Sequence, residues 1–278
     1  EAWFEKHEAA YLSELLALRP FVPWEGWGIE IGVGSGRFAA PLGIQVGVDP
    51  SPAMLVHAAA RGIEVVEGTA ENLPFGSNCF DHALVVTTIC FVDSASAMLA
   101  EAKRVLKPGG RVVIGFIDRE SALGQDYLAH QAESVFYREA TFYSAGEVER
   151  LLLEAGFFID AWGQTLAHPL PETREIEFLR PGRGQCAFVV VAARNGLERF
   201  GQPARARPAW KTFRNPTMLR VSTQSRNNRS RPCKDQEEHF DSFRPGWGWW
   251  GSPWMGQGPS VVIRQQVSSV RNGRRERS

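Results

Sequence analysis

Gly28-Ile29-Glu30-Ile31-Gly32-Val33-Gly34-Ser35-Gly36 is the stretch on which the fold turns, and Asp49 follows it in Val46-Gly47-Val48-Asp49-Pro50-Ser51. Residues 27–32 predict a short buried strand that runs into a glycine loop. Glycine permits a tight turn and lets a ligand approach the backbone with no Cβ in the way. The spacing is G-x-G-x-G with Arg37 next, so the G-x-G-x-x-G dinucleotide fingerprint is not met. Glu30 stands two positions before Gly32. A carboxylate there suits a loop that faces an ammonium group rather than a pyrophosphate; the plainer reading is a strand-end residue with no ligand. Asp49 closes the next predicted strand, where a carboxylate can accept both hydroxyls of a ribose. It also reads, with Ser51, as a cap for the helix that follows.

Outward from this stretch, strand and helix patterns alternate. Residues 3–18 predict an amphipathic helix ended by Pro20 and Pro23. Strands are expected at 27–32, 45–49, 63–67, 80–87, 111–117, 157–165 and 186–193, and helices at 52–61, 96–106, 121–140 and 144–155. Lys107-Pro108-Gly109-Gly110 reads as a helix stop and turn before the fifth strand. This rhythm predicts an α/β domain with a mostly parallel sheet. Ligands of such sheets bind outside the carboxyl ends of the strands, at the switch point. After the third strand, Glu67-Gly68-Thr69-Ala70-Glu71-Asn72 offers polar and backbone groups beside an adenine.

These motifs, in this order and spacing, resemble the class I S-adenosylmethionine-dependent methyltransferases, and more closely their small-molecule branch called type 11. The resemblance runs over residues 25–193. It implies a Rossmann-like three-layer sandwich, with a seven-stranded mostly parallel sheet whose last strand, 186–193, is antiparallel. It implies S-adenosylmethionine as cofactor, with Glu30, Gly32, Gly34 and Gly36 on the methionine part and Asp49 on the ribose. Where many relatives carry an Asp to bind the adenine amino group, this chain has Thr69, so Ala70 or Glu71 would substitute. Thr87, at the fourth strand's end, would serve the methionine end.

Methyl transfer from a sulfonium is an in-line displacement by an already activated donor, so the protein mainly positions the acceptor and excludes water. No catalytic residue is legible. Candidates for contact with a small-molecule acceptor are Thr88, Phe91, Asp118, Phe136, Tyr137 and Tyr143, with Arg119 and Phe142 beside them; the same aromatics read equally as packing between helix and sheet. His57, His82, His130 and His168 read as ordinary structural residues, and residues 3–18 as a packed helix or a cover over the cofactor.

Net charge is zero across 278 residues, yet residues 194–278 hold 17 Lys+Arg against 6 Asp+Glu. Residues 1–193 are correspondingly acidic and form the expected methyltransferase domain. The tail is rich in Arg, Pro, Gly and Trp without helix or strand period, which predicts disorder or a stretch read past a true stop. No apolar run reaches 18 residues and no leader is visible, so no membrane partner and a cytoplasmic location are expected. The four cysteines form no C-x-x-C pair and no metal spacing, so no metal is expected. Two other functions compete: an NAD(P)-dependent oxidoreductase on a similar sheet, and a nucleic-acid-binding protein using the basic tail. The missing third glycine and Glu30 count against the first, and the acidic domain counts against nucleic acid as a partner.

Overall fold

The computed structural model describes residues 2–135 and 137–196. The expectation of a disordered tail, apart from its first residues, and the candidate Phe136 lie outside the described residues. The chain runs α1 (Ala2–Lys6), α2 (Glu8–Leu18), β1 (Gly28–Ile31), α3 (Ala39–Leu42), β2 (Val46–Asp49), α4 (Pro52–Ala60), β3 (Glu64–Glu67), β4 (Phe80–Val86), α5 (Ala95–Val105), β5 (Leu106–Ile117), α6 (Ala122–Ala129), α7 (Ala145–Glu154), β6 (Phe157–Thr165), β7 (Arg180–Pro181) and β8 (Phe188–Asn195).

The sheet order is β3-β2-β1-β4-β5-β8-β6-β7. β3, β2, β1, β4 and β5 pair in parallel, while β8 lies antiparallel between β5 and β6. The reversed final strand stands as expected. The sheet has eight strands rather than seven, because the two residues of β7 add an edge that pairs antiparallel with β6. So short a segment, carrying Pro181, has no strand signal of its own.

Two helix expectations need correction. The first helix breaks at His7 into α1 and α2. Residues 121–140 do not form one helix: α6 stops at Ala129, and a single 3₁₀ turn, Gln131–Glu133, follows. The helices that were legible carry strong starts. Ser94 and Ser121 accept the Ala97 and Gly124 N–H groups, and Ser144 with Glu147 closes a capping box on α7.

The central strands are buried on both faces, as parallel strands covered by helices must be. Ala83, Val85, Val112, Ile114, Val189 and Val191 join the core beneath α5 and α7. Their alternates Leu84, Val86, Val113, Phe188, Val190 and Ala192 join the core beneath α2, α3 and α4. This period-two alternation divides the molecule into three layers. Gly115 admits the ring of Phe188, since a Cβ there would lie 2.6 Å from its Cζ. Phe188→Ala is expected to cost about 3–5 kcal/mol by leaving that space empty; a urea unfolding series with unchanged slope and a lowered midpoint checks it.

Candidate functional site

The sheet order reverses between β1 and β4, so the chains leaving these neighbouring strands diverge and open a crevice at their carboxyl ends. The glycine loop leaves β1 there. Gly32 and Val33 donate to the Val48 carbonyl at 2.8 and 2.9 Å, which fastens the loop to β2. Gly32, Gly34 and Gly36 all have positive φ. A Cβ at Gly32 would collide with Thr88, and one at Gly36 with Ile63 and Ala58; at Gly34 the nearest atom, Met54 Cε, is 3.6 Å away. Two of the glycines therefore serve packing, and Gly34 leaves its position open on the crevice.

Glu30 is only 2% exposed. Burial pushes its carboxyl well above the ordinary glutamate value, the Ala39 N–H it accepts pulls the other way, and the nearby Asp49 charge adds to the rise. Its Oε2 has no hydrogen-bond partner. A buried carboxylate oxygen without a donor costs folding energy and calls for a cation or donor from outside the chain.

Asp49 is oriented by two backbone donors, Gly34 N–H to Oδ2 at 2.8 Å and Ser51 N–H to Oδ1 at 2.9 Å. Each oxygen keeps a second lone pair for a ligand. Thr69 is exposed on the following loop and Ala70 is buried. The Glu71 Oε1 accepts the Asp93 and Ser94 N–H groups at 2.8 and 3.4 Å, so this carboxylate braces the start of α5.

Thr87 follows β4 with φ at +50°, a strained backbone for a β-branched residue. The Thr88 hydroxyl donates to the Gly32 and Val86 carbonyls, at 3.2 and 3.0 Å, and so ties the end of β4 to the glycine loop. Beyond them, Thr87, Cys90, Tyr127, Tyr137, Phe142 and Tyr143 line a narrow pocket. Tyr137 stacks between Phe91 (5.8 Å) and Tyr127 (4.9 Å), and Phe91 is 51% exposed. Burial pushes the Cys90 thiol up to about 12, so it is no nucleophile.

Tyr127 also faces a cleft of about 670 Å³ beside the carboxyl ends of β5 and β6. Asp118, Glu120, Asp126, His7, His168 and Leu166 are among its walls. Asp118 Oδ1 accepts the Glu120 and Ala145 N–H groups, which fixes that carboxylate at the start of α7. Arg119 turns away to pair with Glu147 at 2.8 Å. His168 pairs with Glu177 at 3.0 Å. His82 is buried within β4, with its imidazole pushed down to about 4 by burial, and takes no part in the crevice.

One further buried carboxylate, on α2, was passed over by sequence reasoning. Glu14 on α2 is 3% exposed. Burial, with no hydrogen bond or charge to offset it, pushes its carboxyl up to about 8. Its signal was present in the pattern: Ala10, Glu14, Ala17 and Leu18 share the buried face of the helix, so a carboxylate occupies an apolar stripe.

Among the described residues no cluster of His, Cys, Asp and Glu could hold a metal ion, and no helix is long and apolar enough to cross a membrane. A three-layer fold with this glycine loop and paired strand-end carboxylates defines a class I methyltransferase domain. A family profile described as a methyltransferase domain matches residues 29–114. The chain is 42% identical over 193 residues to an uncharacterized protein of Methanocaldococcus jannaschii, covering 69% of this chain and 93% of that one. It is 37% identical over 199 residues to an uncharacterized protein of Mycobacterium tuberculosis, covering 69% and 70%. A crystal structure from Thermotoga maritima, described as a SAM-dependent methyltransferase and possible histamine N-methyltransferase, matches with a TM-score of 0.68 and 48% identity, over 70% of this chain and 93% of that one. The chain belongs to the S-adenosylmethionine-dependent methyltransferases.

The two buried glutamates set a pH dependence. With their values raised, the folded protein keeps protons that the unfolded chain releases above the ordinary glutamate value of 4.5. Stability is full below that value and falls as pH rises through it toward about 8. Glu14→Gln, which cannot ionise, is expected to flatten this fall; urea midpoints of both proteins at about pH 5 and about pH 8 measure it.

Proposed function

We propose that this enzyme transfers the methyl group of S-adenosylmethionine to a small-molecule acceptor. The observation that carries the reading is the pair of carboxylates flanking the glycine loop. Glu30 brings an unpartnered buried oxygen that an ammonium group would satisfy. Asp49 brings an oriented carboxylate with lone pairs to spare for two hydroxyls. An amino-acid ammonium and a ribose are the two ends that S-adenosylmethionine offers them. That cofactor supplies a methyl group already activated as a sulfonium.

In this reading Gly32, Gly34 and Gly36 shape the bed of the methionine part, and Thr87 meets its reactive end. Thr69, Ala70 and Glu71 flank the adenine; with Glu71 braced against the start of α5, the Ala70 backbone and Thr69 hydroxyl take the larger share. The acceptor comes against Phe91, Asp118, Tyr137 and Tyr143, with Thr88 acting through the loop it ties down. A cleft of about 670 Å³ suits a small molecule rather than a folded partner. The description of the Thermotoga maritima protein as a possible histamine N-methyltransferase is of the same kind. Residues 1–193 form the methyltransferase domain, a span close to the 193 residues shared with the Methanocaldococcus relative.

Calorimetric titration of the full chain with S-adenosylhomocysteine tests the reading, with NADH as control. Binding to the first and not the second supports it; binding to NADH alone sinks it. Asp49→Ala is expected to weaken S-adenosylhomocysteine by roughly 10- to 150-fold, the equivalent of about 1.5–3 kcal/mol for hydrogen bonds to a charged group. Unchanged affinity would remove Asp49 from the ribose.

A further inference from the structure

We infer that His168, set in place by Glu177, selects the methyl acceptor, and that this acceptor is an elongated molecule with an apolar middle whose far end donates a neutral hydroxyl to the His168 ring. The inference rests on the methyltransferase reading, in which Thr87 meets the reactive end of the cofactor, and deepens it along the acceptor side.

The cleft has a continuous floor. The Thr87 N–H donates to the Gly115 carbonyl at 2.8 Å, the Asp118 N–H to the Ala187 carbonyl at 2.9 Å, and the Ala187 N–H to the Leu166 carbonyl at 2.8 Å. The carboxyl ends of β4, β5 and β6 thus form one edge, with the start of β8 between the last two. Neighbouring strands lie about 4.8 Å apart, so the edge runs about 14 Å from β4 to β6. Thr87 stands at one end of it, and Leu166, Ala167 and His168 follow β6 at the other. Tyr127 lines both the narrow pocket beside Thr87 and the cleft that holds His168. A molecule attacked near Thr87 reaches His168 only if it spans this edge.

His168 lies in a turn built around one carboxylate. Leu166 enters the turn with φ at +64°, a strained backbone for any residue but glycine. Glu177 accepts the Ala167 and His168 N–H groups at 2.6 and 3.3 Å, and the His168 ring Nδ1 lies 3.0 Å from its Oε1. Its own N–H donates to the Ser13 hydroxyl at 2.8 Å, and its carbonyl accepts the Thr165 hydroxyl at 3.1 Å. Burial works to raise the Glu177 carboxyl, but the Ala167 and His168 donors hold it below the ordinary glutamate value. A carboxylate can only accept, so the neutral imidazole carries its proton on Nδ1 and keeps a lone pair on Nε2. Nε2 has no hydrogen-bond partner among the described residues, and His168 lines the cleft. Two backbone N–H groups already fasten the turn to Glu177. What the ring adds is an acceptor of fixed tautomer facing a ligand.

The other walls restrict what can lie between the two ends. Leu123, Leu166, Leu170 and Tyr127 supply apolar surface. Asp118, Glu120 and Asp126 are the acidic groups, His7 and Cys186 also line the cleft, and no Lys or Arg does so among the described residues. Burial, with Lys6 beside it, lowers His7, which favours its neutral form. Such a cleft repels carboxylates and phosphates. A site that accepts a hydroxyl proton also discriminates against an analogue that lacks it, because the buried acceptor is then left unpaired.

The test uses the full-length protein with saturating S-adenosylhomocysteine and three probes of one length: 4-benzyloxyphenol, its methyl ether 1-benzyloxy-4-methoxybenzene, and 4-benzyloxybenzoate. In calorimetric titration the phenol is expected to bind at least about tenfold more tightly than the ether, with the benzoate weakest. His168→Ala should reduce the phenol to the level of the ether. In ¹⁵N spectra of the wild-type protein, the phenol should move the His168 Nε2 signal and the Thr87 amide together, while the ether leaves Nε2 in place. Equal binding of phenol and ether, or a preference that survives in His168→Ala, overturns the inference. A Thr87 amide that the phenol does not move overturns the span. If the variant does not fold, the wild-type ring decides, and an Nε2 signal unmoved by the phenol overturns the inference. Failure of S-adenosylhomocysteine to bind would instead strike the cofactor reading, and parallel titrations of the probes without it keep the two outcomes apart.

Discussion

The molecule depends on one topological constraint. Two parallel neighbours, β1 and β4, send their chains away in opposite directions, and the candidate site gathers where they part. The glycine loop leaves β1 on one side and Thr87 leaves β4 on the other, in a backbone conformation that costs energy. Thr88 bridges the two by donating to the Gly32 carbonyl. Asp49 reaches in from β2 and is aimed by the Gly34 N–H. A crevice that would otherwise be a fault in the packing is thereby given defined walls.

The apolar core is what makes the polar interior tolerable. Strands buried on both faces supply a large, alternating set of aliphatic contacts. Against that background two glutamates sit buried without full hydrogen bonding, one at the end of β1 and one within α2. Both lie toward the helical layer formed by α2 and α3, and both influence Tyr11.

How much was legible follows from the range of the forces concerned. Strand and helix positions came from local patterns, so β1 to β4, β6, β8, α4, α5 and α7 lie close to their expected spans, whereas β5 starts at Leu106 and takes in the Lys107-Pro108-Gly109-Gly110 stretch expected as a turn. The failures have local causes. The helix after Ser121 stops at Ala129, and a 3₁₀ turn takes over before the aromatic run, since Tyr137 and Phe142 gain more by packing on Tyr127 than by continuing a helix. The edge strand β7 was invisible because its two residues take their conformation from β6. Glu30 and Asp49 could be singled out because each stands at a strand end beside a glycine loop. Glu14 was legible only as a carboxylate in the apolar stripe of α2; the extent of its burial depends on neighbours distant in the chain.

The sequence by itself determined the layered α/β architecture, the place of the crevice and the methyltransferase family, because strand periodicity, glycine spacing and strand-end carboxylates are short-range signals. Only the tertiary structure decided which polar groups are already satisfied. Thr88 and Glu71 make bonds within the scaffold, Arg119 is paired away from the cleft, and Glu30 and Glu14 are left short of partners. Burial and hydrogen-bond completeness are sums over neighbours distant in the chain, here from α2 to Tyr137 and from β1 to β4. No window of sequence contains those sums until the sheet closes and brings the neighbours together.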